Sequence, residues 1–276
     1  MSLRTRFLSP CVIATLFFAC GFTVDFSINC TSGQSCWAKE ISQSVQADQI
    51  PAIRRTISSG FHAPAQGEKI KIAFFDADST LRVAPSGAVT PNSATDVAIL
   101  PLVSQAFKDL AQQGYLIGIV SNQLGVSAGY ITLAAADGAL HETCVQYGRT
   151  GALIHYYDFA EAKDENRKPE MGMANRLSSL IESANGVQVD WEHSFMVGDS
   201  GYKKGVDTDP SGKPGEDVAN TDRLFAETVA KVHPGFTYKH PRDFFGWAKY
   251  GIRNFENFQE LQAFYKDHPE LNPDIK

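Results

Sequence analysis

Ile70-Lys71-Ile72-Ala73-Phe74-Phe75-Asp76-Ala77-Asp78-Ser79-Thr80 is the stretch on which the fold turns. Its first six residues form a short apolar run interrupted by one lysine, as in a buried strand. The run stops on two carboxylates spaced two residues apart, so a hydrophobic strand delivers acids to one of its ends.

Outward from this strand the chain alternates between strand-like and helix-like stretches. Residues 92–113 carry apolar positions at helical spacing (Val97, Leu100, Val103, Phe107, Leu110), and Gly114 is a stop signal just past them. Tyr115–Val120 reads as a second strand, residues 127–143 as a helix and Leu153–Asp158 as a third strand. A helix over 170–185, a strand at Phe195–Val197, a helix over 221–230, a strand at Gly235–Tyr238 and a helix over 256–266 follow. Such alternation predicts an α/β fold: a three-layer, Rossmann-like parallel sheet with helices on both faces. In these folds ligands bind beyond the carboxyl ends of the strands.

The region before the sheet differs in composition. Arg4 and Arg6 precede a largely apolar run from Phe7 to Val24, so residues 1–24 read as a secretion signal or an uncleaved membrane anchor. A buried helix is the alternative. If the leader is real the protein is exported, to the periplasm or outside the cell; otherwise it is cytoplasmic. Cys30 and Cys36 have the spacing of a small disulfide loop, and no Cys/His cluster has zinc-site spacing. Residues 25–68 read as a linker or accessory segment with a helical stretch near Ile41–Ile57, and 69–276 as the main domain.

The 276 residues carry a formal net charge of −6, and 43% are hydrophobic. That content excludes a disordered chain. The acidic balance argues against broad electrostatic binding of nucleic acid, which needs a basic face.

Polar residues fall at the ends of successive strands: Asp76 to Thr80, then Ser121-Asn122-Gln123, then Lys168-Pro169 before a helix, then Gly198-Asp199-Ser200. On a parallel sheet these four points converge on one crevice. Several carboxylates together need a cation, and hard oxygen ligands suit Mg²⁺. A phosphate would then face the metal, the Lys168 ammonium and the Ser121 hydroxyl, which neutralises charge where phosphoryl transfer needs it. One carboxylate can attack phosphorus while the other carries a proton.

The ordered set Phe75-Asp76-Ala77-Asp78-Ser79-Thr80, Val120-Ser121-Asn122, Lys168-Pro169 and Gly198-Asp199 resembles the haloacid dehalogenase-like phosphohydrolases over roughly residues 69–245. Within that superfamily the likeness is to the 3′-phosphatase domain of polynucleotide kinase/phosphatases. It is carried by Ser121-Asn122-Gln123-Leu124-Gly125, Lys168-Pro169-Glu170-Met171-Gly172-Met173 and Thr221-Asp222-Arg223-Leu224-Phe225-Ala226, with Pro241-Arg242-Asp243-Phe244-Phe245 echoing the tail.

The resemblance implies a Mg²⁺-dependent phosphomonoesterase working through an aspartyl-phosphate. It implies Asp76 as nucleophile, Asp78 as general acid/base and Lys168 as stabiliser of the phosphoryl group. Ser121, Asn122 and Gln123 would bind substrate. Asp76, Asp78 (through its backbone carbonyl) and Asp199 would hold the metal, together with a second acid after Asp199 for which Asp207, Asp209, Asp217 and Asp222 are the candidates, Asp222 being favoured by its Thr-Asp-Arg-Leu context. The substrate it implies is a phosphorylated one, extending to a DNA or RNA 3′ end; exported small-metabolite or phosphoprotein phosphatases and an inactive binding scaffold are the alternatives. Neither gap where such enzymes insert a large cap, Arg82–Tyr115 or Leu124–Arg167, leaves room for a separate domain, so a capless enzyme is expected.

Three bland alternatives stand beside these roles. Asp222 could cap the helix after it, Ser121 could cap the next helix, and Lys168 could be a solvated loop lysine. Trp191, Trp247 and Phe244-Phe245 are expected in the core. No Gly-x4-Gly-Lys-Ser/Thr loop is present, so no kinase half is inferred.

Overall fold

The computed structural model describes residues 52–62, 68–201 and 219–272, together with two short strands near the amino terminus. The chain divides into two compact units, residues 1–46 and 47–276. In the first, β1 (Ala14–Phe17) and β2 (Thr23–Phe26) pair antiparallel. The rest of the leader, Cys30, Cys36 and residues 202–218 lie outside the described residues. No described helix is long and apolar enough to cross a membrane.

The second unit is built on β3 (Lys71–Phe75), the strand that leads into Asp76. A two-stranded ribbon follows, β4 (Arg82–Val83) with β5 (Ala98–Ile99), and then α1 (Val103–Gln112). The chain continues through β6 (Tyr115–Asn122), α2 (Leu133–Arg149), β7 (Tyr156–Ala160), α3 (Gly172–Asn185) and β8 (Phe195–Val197). It ends with α4 (Thr221–Val232), β9 (Thr237–Lys239), α5 (Pro241–Phe244) and α6 (Phe258–Asp267). The five long-range strands form one parallel sheet in the order β7-β6-β3-β8-β9. This is the expected α/β architecture, with β3 at its centre and no separate cap among the described residues.

Period-two alternation along β3 divides the core into its two faces. Ala73 and Phe75 join Phe107 of α1, Leu140 of α2 and Phe264 of α6 on one side. Ile72 and Phe74 join Leu177 and Ile181 of α3 and Phe225 of α4 on the other. Burying side chains of this size stabilises by about 1.5–3 kcal/mol each, so the two faces fix the strand and hold its carboxyl end still. Trp247 is fully buried and its indole Nε1 donates to the Pro101 carbonyl at 3.0 Å. Phe245 is buried as well, and Trp191 is partly buried against Phe74. These aromatics are core residues, as expected.

Several boundaries differ from the sequence reading. Residues 92–102 are not helical: Val97 and Leu100 are buried around the short β5 ribbon, and α1 starts only after Pro101 and Leu102, whose φ is 68°. The second helix starts at Leu133 rather than 127, because turns bond Tyr130 N to Gly125 O and Thr132 caps the helix by accepting from Ala135 N. The third strand is shifted to 156–160. Residues 53–57 are not helical. They run beside β7, with a parallel bridge between Arg54 and Tyr157 and a bond from Ser58 N to His155 O at 2.8 Å. The rest of the helix expected near 41–57 lies outside the described residues.

Candidate active site

The carboxyl ends of β3, β6 and β8 meet as expected. Asp76 N donates to Val197 O at 2.9 Å, which ties the end of β3 to β8. From there the chain turns sharply. Ser79 takes a left-handed φ of 56° and its N–H donates to Arg82 O at 2.9 Å. A left-handed non-glycine residue costs roughly 1–2 kcal/mol, and here the turn aims Asp78 back over the mouth.

Lys168 is the hub. It is 1% exposed, and its Nζ donates to Asp76 Oδ1 and to Asp222 Oδ1, both at 2.6 Å. It is therefore no solvated loop lysine. Its loop is clamped by Asn122, whose Oδ1 accepts from Lys168 N at 2.9 Å while its Nδ2 donates to Lys168 O at 3.1 Å. The Asn122 side chain is thus a scaffold element.

Asp222 is buried in the first turn of α4, but it does not cap the helix. Oδ1 is on Lys168 and Oδ2 accepts from Ser200 N at 3.0 Å. Gly198 makes this possible: a Cβ there would lie 2.2 Å from Asp222 Oδ2. Asp199 is oriented by Thr80, whose Oγ1 donates to Asp199 Oδ1 at 3.2 Å and accepts from Asp199 N at 3.1 Å. Asn254 Nδ2, from the segment before α6, reaches Asp199 Oδ2 at 3.3 Å.

Oxygens of Asp76, Asp199 and Asp222 lie within 4.8 Å of one another. Two of these carboxylates, Asp76 and Asp222, share the Lys168 ammonium. The electrostatics register this. Burial pushes the Asp76 carboxyl up to about 7, and Asp222 and Asp78 push it the same way against the pull of Lys168. Burial opposes the charge on Lys168, yet Asp222 and Asp76 outweigh it and hold the ammonium at about 12. Three hard oxygen donors this close together fit a Mg²⁺-type cation.

Asp78 stands slightly apart from this triad. Its Oδ2 accepts from Gln123 Nε2 at 2.8 Å and its Oδ1 from Arg82 Nε at 2.9 Å. Gln123 also donates to Ser121 Oγ at 3.0 Å, and its Oε1 accepts from Thr90 Oγ1 at 3.2 Å. Ser121 is buried and caps no helix, since the N-cap of α2 is Thr132. All the expected site residues are therefore brought together: Asp76, Asp78, Ser121, Asn122, Gln123, Lys168, Asp199 and Asp222. Sequence reading missed Thr80 as the holder of Asp199, and also Arg82 and Asn254. Thr80 lies inside the quoted motif, whereas Arg82 and Asn254 carry no local signal.

Topology and site together define a haloacid dehalogenase-like phosphatase, a hydrolase of phosphate monoesters. The profile of the family described as Polynucleotide kinase 3 phosphatase matches residues 71–245, and the chain belongs to that family. A D-glycero-beta-D-manno-heptose-1,7-bisphosphate 7-phosphatase of Haemophilus ducreyi is 31% identical over 143 residues, 47% of this chain and 72% of that protein. An uncharacterized 20.8 kDa protein of Autographa californica nuclear polyhedrosis virus is 29% identical over 163 residues, 59% of this chain and 81% of that protein. Among solved structures, a D,D-heptose 1,7-bisphosphate phosphatase from B. bronchiseptica, complexed with magnesium and phosphate, aligns with a TM-score of 0.45 at 17% identity. It covers 66% of this chain and 97% of that one.

Proposed function

We propose that the protein is a Mg²⁺-dependent phosphomonoesterase that works through an aspartyl-phosphate on Asp76. The observation that carries this is the bridging of Asp76 and Asp222 by one buried ammonium, with Asp199 beside them. Asp76, Asp199 and Asp222, with the Asp78 backbone carbonyl, would hold the ion. When bound, it would neutralise charge on the phosphoryl group.

The chain's own residues supply the rest. Lys168 holds Asp76 through Oδ1 and offers positive charge to the phosphoryl oxygens. A carboxylate oxygen of Asp76 forms a bond to phosphorus as the bond to the leaving oxygen breaks, and protonated Asp78 gives that oxygen its proton. Asp78, now a carboxylate, then takes a proton from water as the water oxygen bonds to phosphorus and the Asp76–phosphorus bond breaks. Phosphate leaves and both acids return to their starting states. Ser121 and the backbone at Asn122 bind the phosphoryl oxygens, while Gln123 links Ser121 to Asp78.

The substrate reading is a nucleic-acid 3′-phosphate end, DNA or RNA, which the family match supports. A cavity of about 510 Å³ supports a substrate with further anionic groups. Arg223, Lys239, His240, Arg242 and Arg253 line it, and Asp243 is its only acid among the described residues. Two of its lining residues bond to the turn after β8: Gly198 N donates to Lys239 O at 3.4 Å, and Arg223 Nε donates to Gly201 O at 2.5 Å. A small sugar bisphosphate, the substrate type in the name of the Haemophilus relative, is the second reading because the same cavity could take its second phosphate. Export rests on the reading of residues 1–24.

A substrate panel tests this reading: a 3′-phosphorylated oligonucleotide, a sugar bisphosphate and a phosphopeptide, each with Mg²⁺ and with EDTA. The expected result is Mg²⁺-dependent release of phosphate, greatest from the oligonucleotide. Preference for the bisphosphate selects the second reading, and preference for the phosphopeptide overturns both.

A further inference from the structure

Arg82 is a fully buried guanidinium on the short strand β4, between the buried apolar residues Leu81 and Val83. An ordinary core would place a hydrophobic side chain there, because a buried charge is costly even when paired. The arginine is held from two sides. Nε donates to Asp78 Oδ1 at 2.9 Å, and Nη1 donates to Thr143 Oγ1 of α2 at 3.1 Å. Thr143 in turn donates to Ala139 O at 2.8 Å, so its oxygen is set as the acceptor. Nη2 is buried with no hydrogen-bond partner. A group that is costly to bury and only partly satisfied breaks a local rule, and such breaks concentrate at functional sites.

We infer that Arg82 is a positioning residue for Asp78: it fixes which carboxylate oxygen exchanges the proton with the leaving group. This deepens the proposed reaction and rests on the reading of Asp78 as acid/base. Arginine has donors only, so Oδ1 can serve it only as an acceptor. The transferable proton is thereby assigned to Oδ2. On that side stands Gln123, whose Nε2 donates to Oδ2 at 2.8 Å and to Ser121 Oγ at 3.0 Å. Anchorage on Thr143 ties this arrangement to α2, and Thr90 holds the far side of Gln123 at 3.2 Å.

The test compares a simple alkyl phosphate, whose leaving oxygen needs a proton, with p-nitrophenyl phosphate, which needs little. The full chain is used with Mg²⁺. Arg82→Met is expected to lower kcat on the alkyl phosphate by about 10²-fold, the loss that a misplaced catalytic group brings. On p-nitrophenyl phosphate the loss should stay within about 3-fold, with KM unchanged for both. Arg82→Lys should recover part of the alkyl activity. Thr143→Val keeps the charge but removes an anchor, and should give a smaller loss of the same selectivity. Equal losses on both substrates, or a change confined to KM, would overturn the inference while leaving the phosphatase reading in place.

Melting temperatures give a measurement that needs no turnover. Asp78→Asn should destabilise by leaving a buried cation unpaired, and Arg82→Met added to it should restore stability. Additive losses would show that the two side chains do not act as a pair. Absence of turnover by the wild-type protein on both substrates would overturn the phosphatase reading itself.

Discussion

Two buried charge clusters lie on the same sheet, and they are unbalanced in opposite directions. At the mouth, Asp76 and Asp222 share one ammonium, that of Lys168, and an Asp199 oxygen lies within 4.8 Å of theirs. At the edge strand β7, the fully buried Asp158 meets three guanidinium groups: Arg54 at 3.6 Å, Arg55 at 2.8 Å and Arg176 at 3.4 Å. Arg54 also pairs with Glu161 at 2.6 Å and lies 3.6 Å over the Phe159 ring. At the edge three guanidinium groups share one buried acid, whereas at the mouth two acids share one buried ammonium. A buried acid alone identifies neither structure nor chemistry; the balance of its surroundings does.

Breaking each cluster should therefore produce different failures. The largest effect is expected from Asp76→Asn, which removes the nucleophile. Turnover of p-nitrophenyl phosphate should fall by on the order of 10⁴-fold or more, with the melting temperature retained. An active purified mutant would refute the mechanism.

Metal removal comes next. EDTA should abolish turnover, and Mg²⁺ at about 100 times its Kd should stabilise the fold by about 2.7 kcal/mol. Calorimetry should show that shift reduced in Asp199→Asn; an unchanged shift would place the ion elsewhere.

At the edge the failure should be one of stability. Asp158→Asn leaves three guanidinium groups around a neutral side chain. Because the arginines are partly exposed, the cost is expected near 3 kcal/mol, the low end for a broken buried pair. Urea unfolding measures it. Activity per folded molecule should be unchanged, and a lost kcat without lost stability would make the edge cluster part of the site.

The mouth was legible in the sequence and the edge was not, for a physical reason. Each mouth residue follows its own apolar strand or opens its own helix, so local pattern plus the parallel-sheet rule brings them together. Asp222 was picked out by its Thr-Asp-Arg-Leu context, which the fold places beside Gly198. Arg55 meets Asp158 across 103 residues, in a segment that reads as a linker with a helical stretch but runs beside β7 instead. Arg82 was missed because the reversal at Ser79 that returns it to Asp78 is a backbone event without a local signature. The helix expected over 92–113 fails at its start because Val97 and Leu100 have helical spacing by coincidence. Pro101 and the left-handed Leu102 stop the helix from extending back to them.

The smallest effect expected concerns pH, and it lies again on the β7 side. His155 is buried, and its Nδ1 accepts a hydrogen bond from Ile117 N at 2.9 Å. Phe61 of the docked segment meets its ring edge-on at 5.2 Å. Burial, with His62 adding to it, lowers the His155 pKa to about 4 from the ordinary 6.5. The native state therefore keeps the ring neutral, while the unfolded chain takes up a proton as pH falls below 6.5. Stability from this residue is fully present above that pH and is lost progressively down to about pH 4. At pH 5.5 the loss is expected to be about 1.5 kcal/mol. Protonation at Nδ1 would also remove the acceptor for Ile117. His155→Asn supplies an acceptor that does not titrate, so its urea midpoint should fall less than the wild-type midpoint between pH 7.5 and 5.5. An equal drop in both proteins would show that His155 is not the source of the acid sensitivity; Asp76 is not an alternative source, because a carboxyl raised to about 7 in the fold gains stability as pH falls.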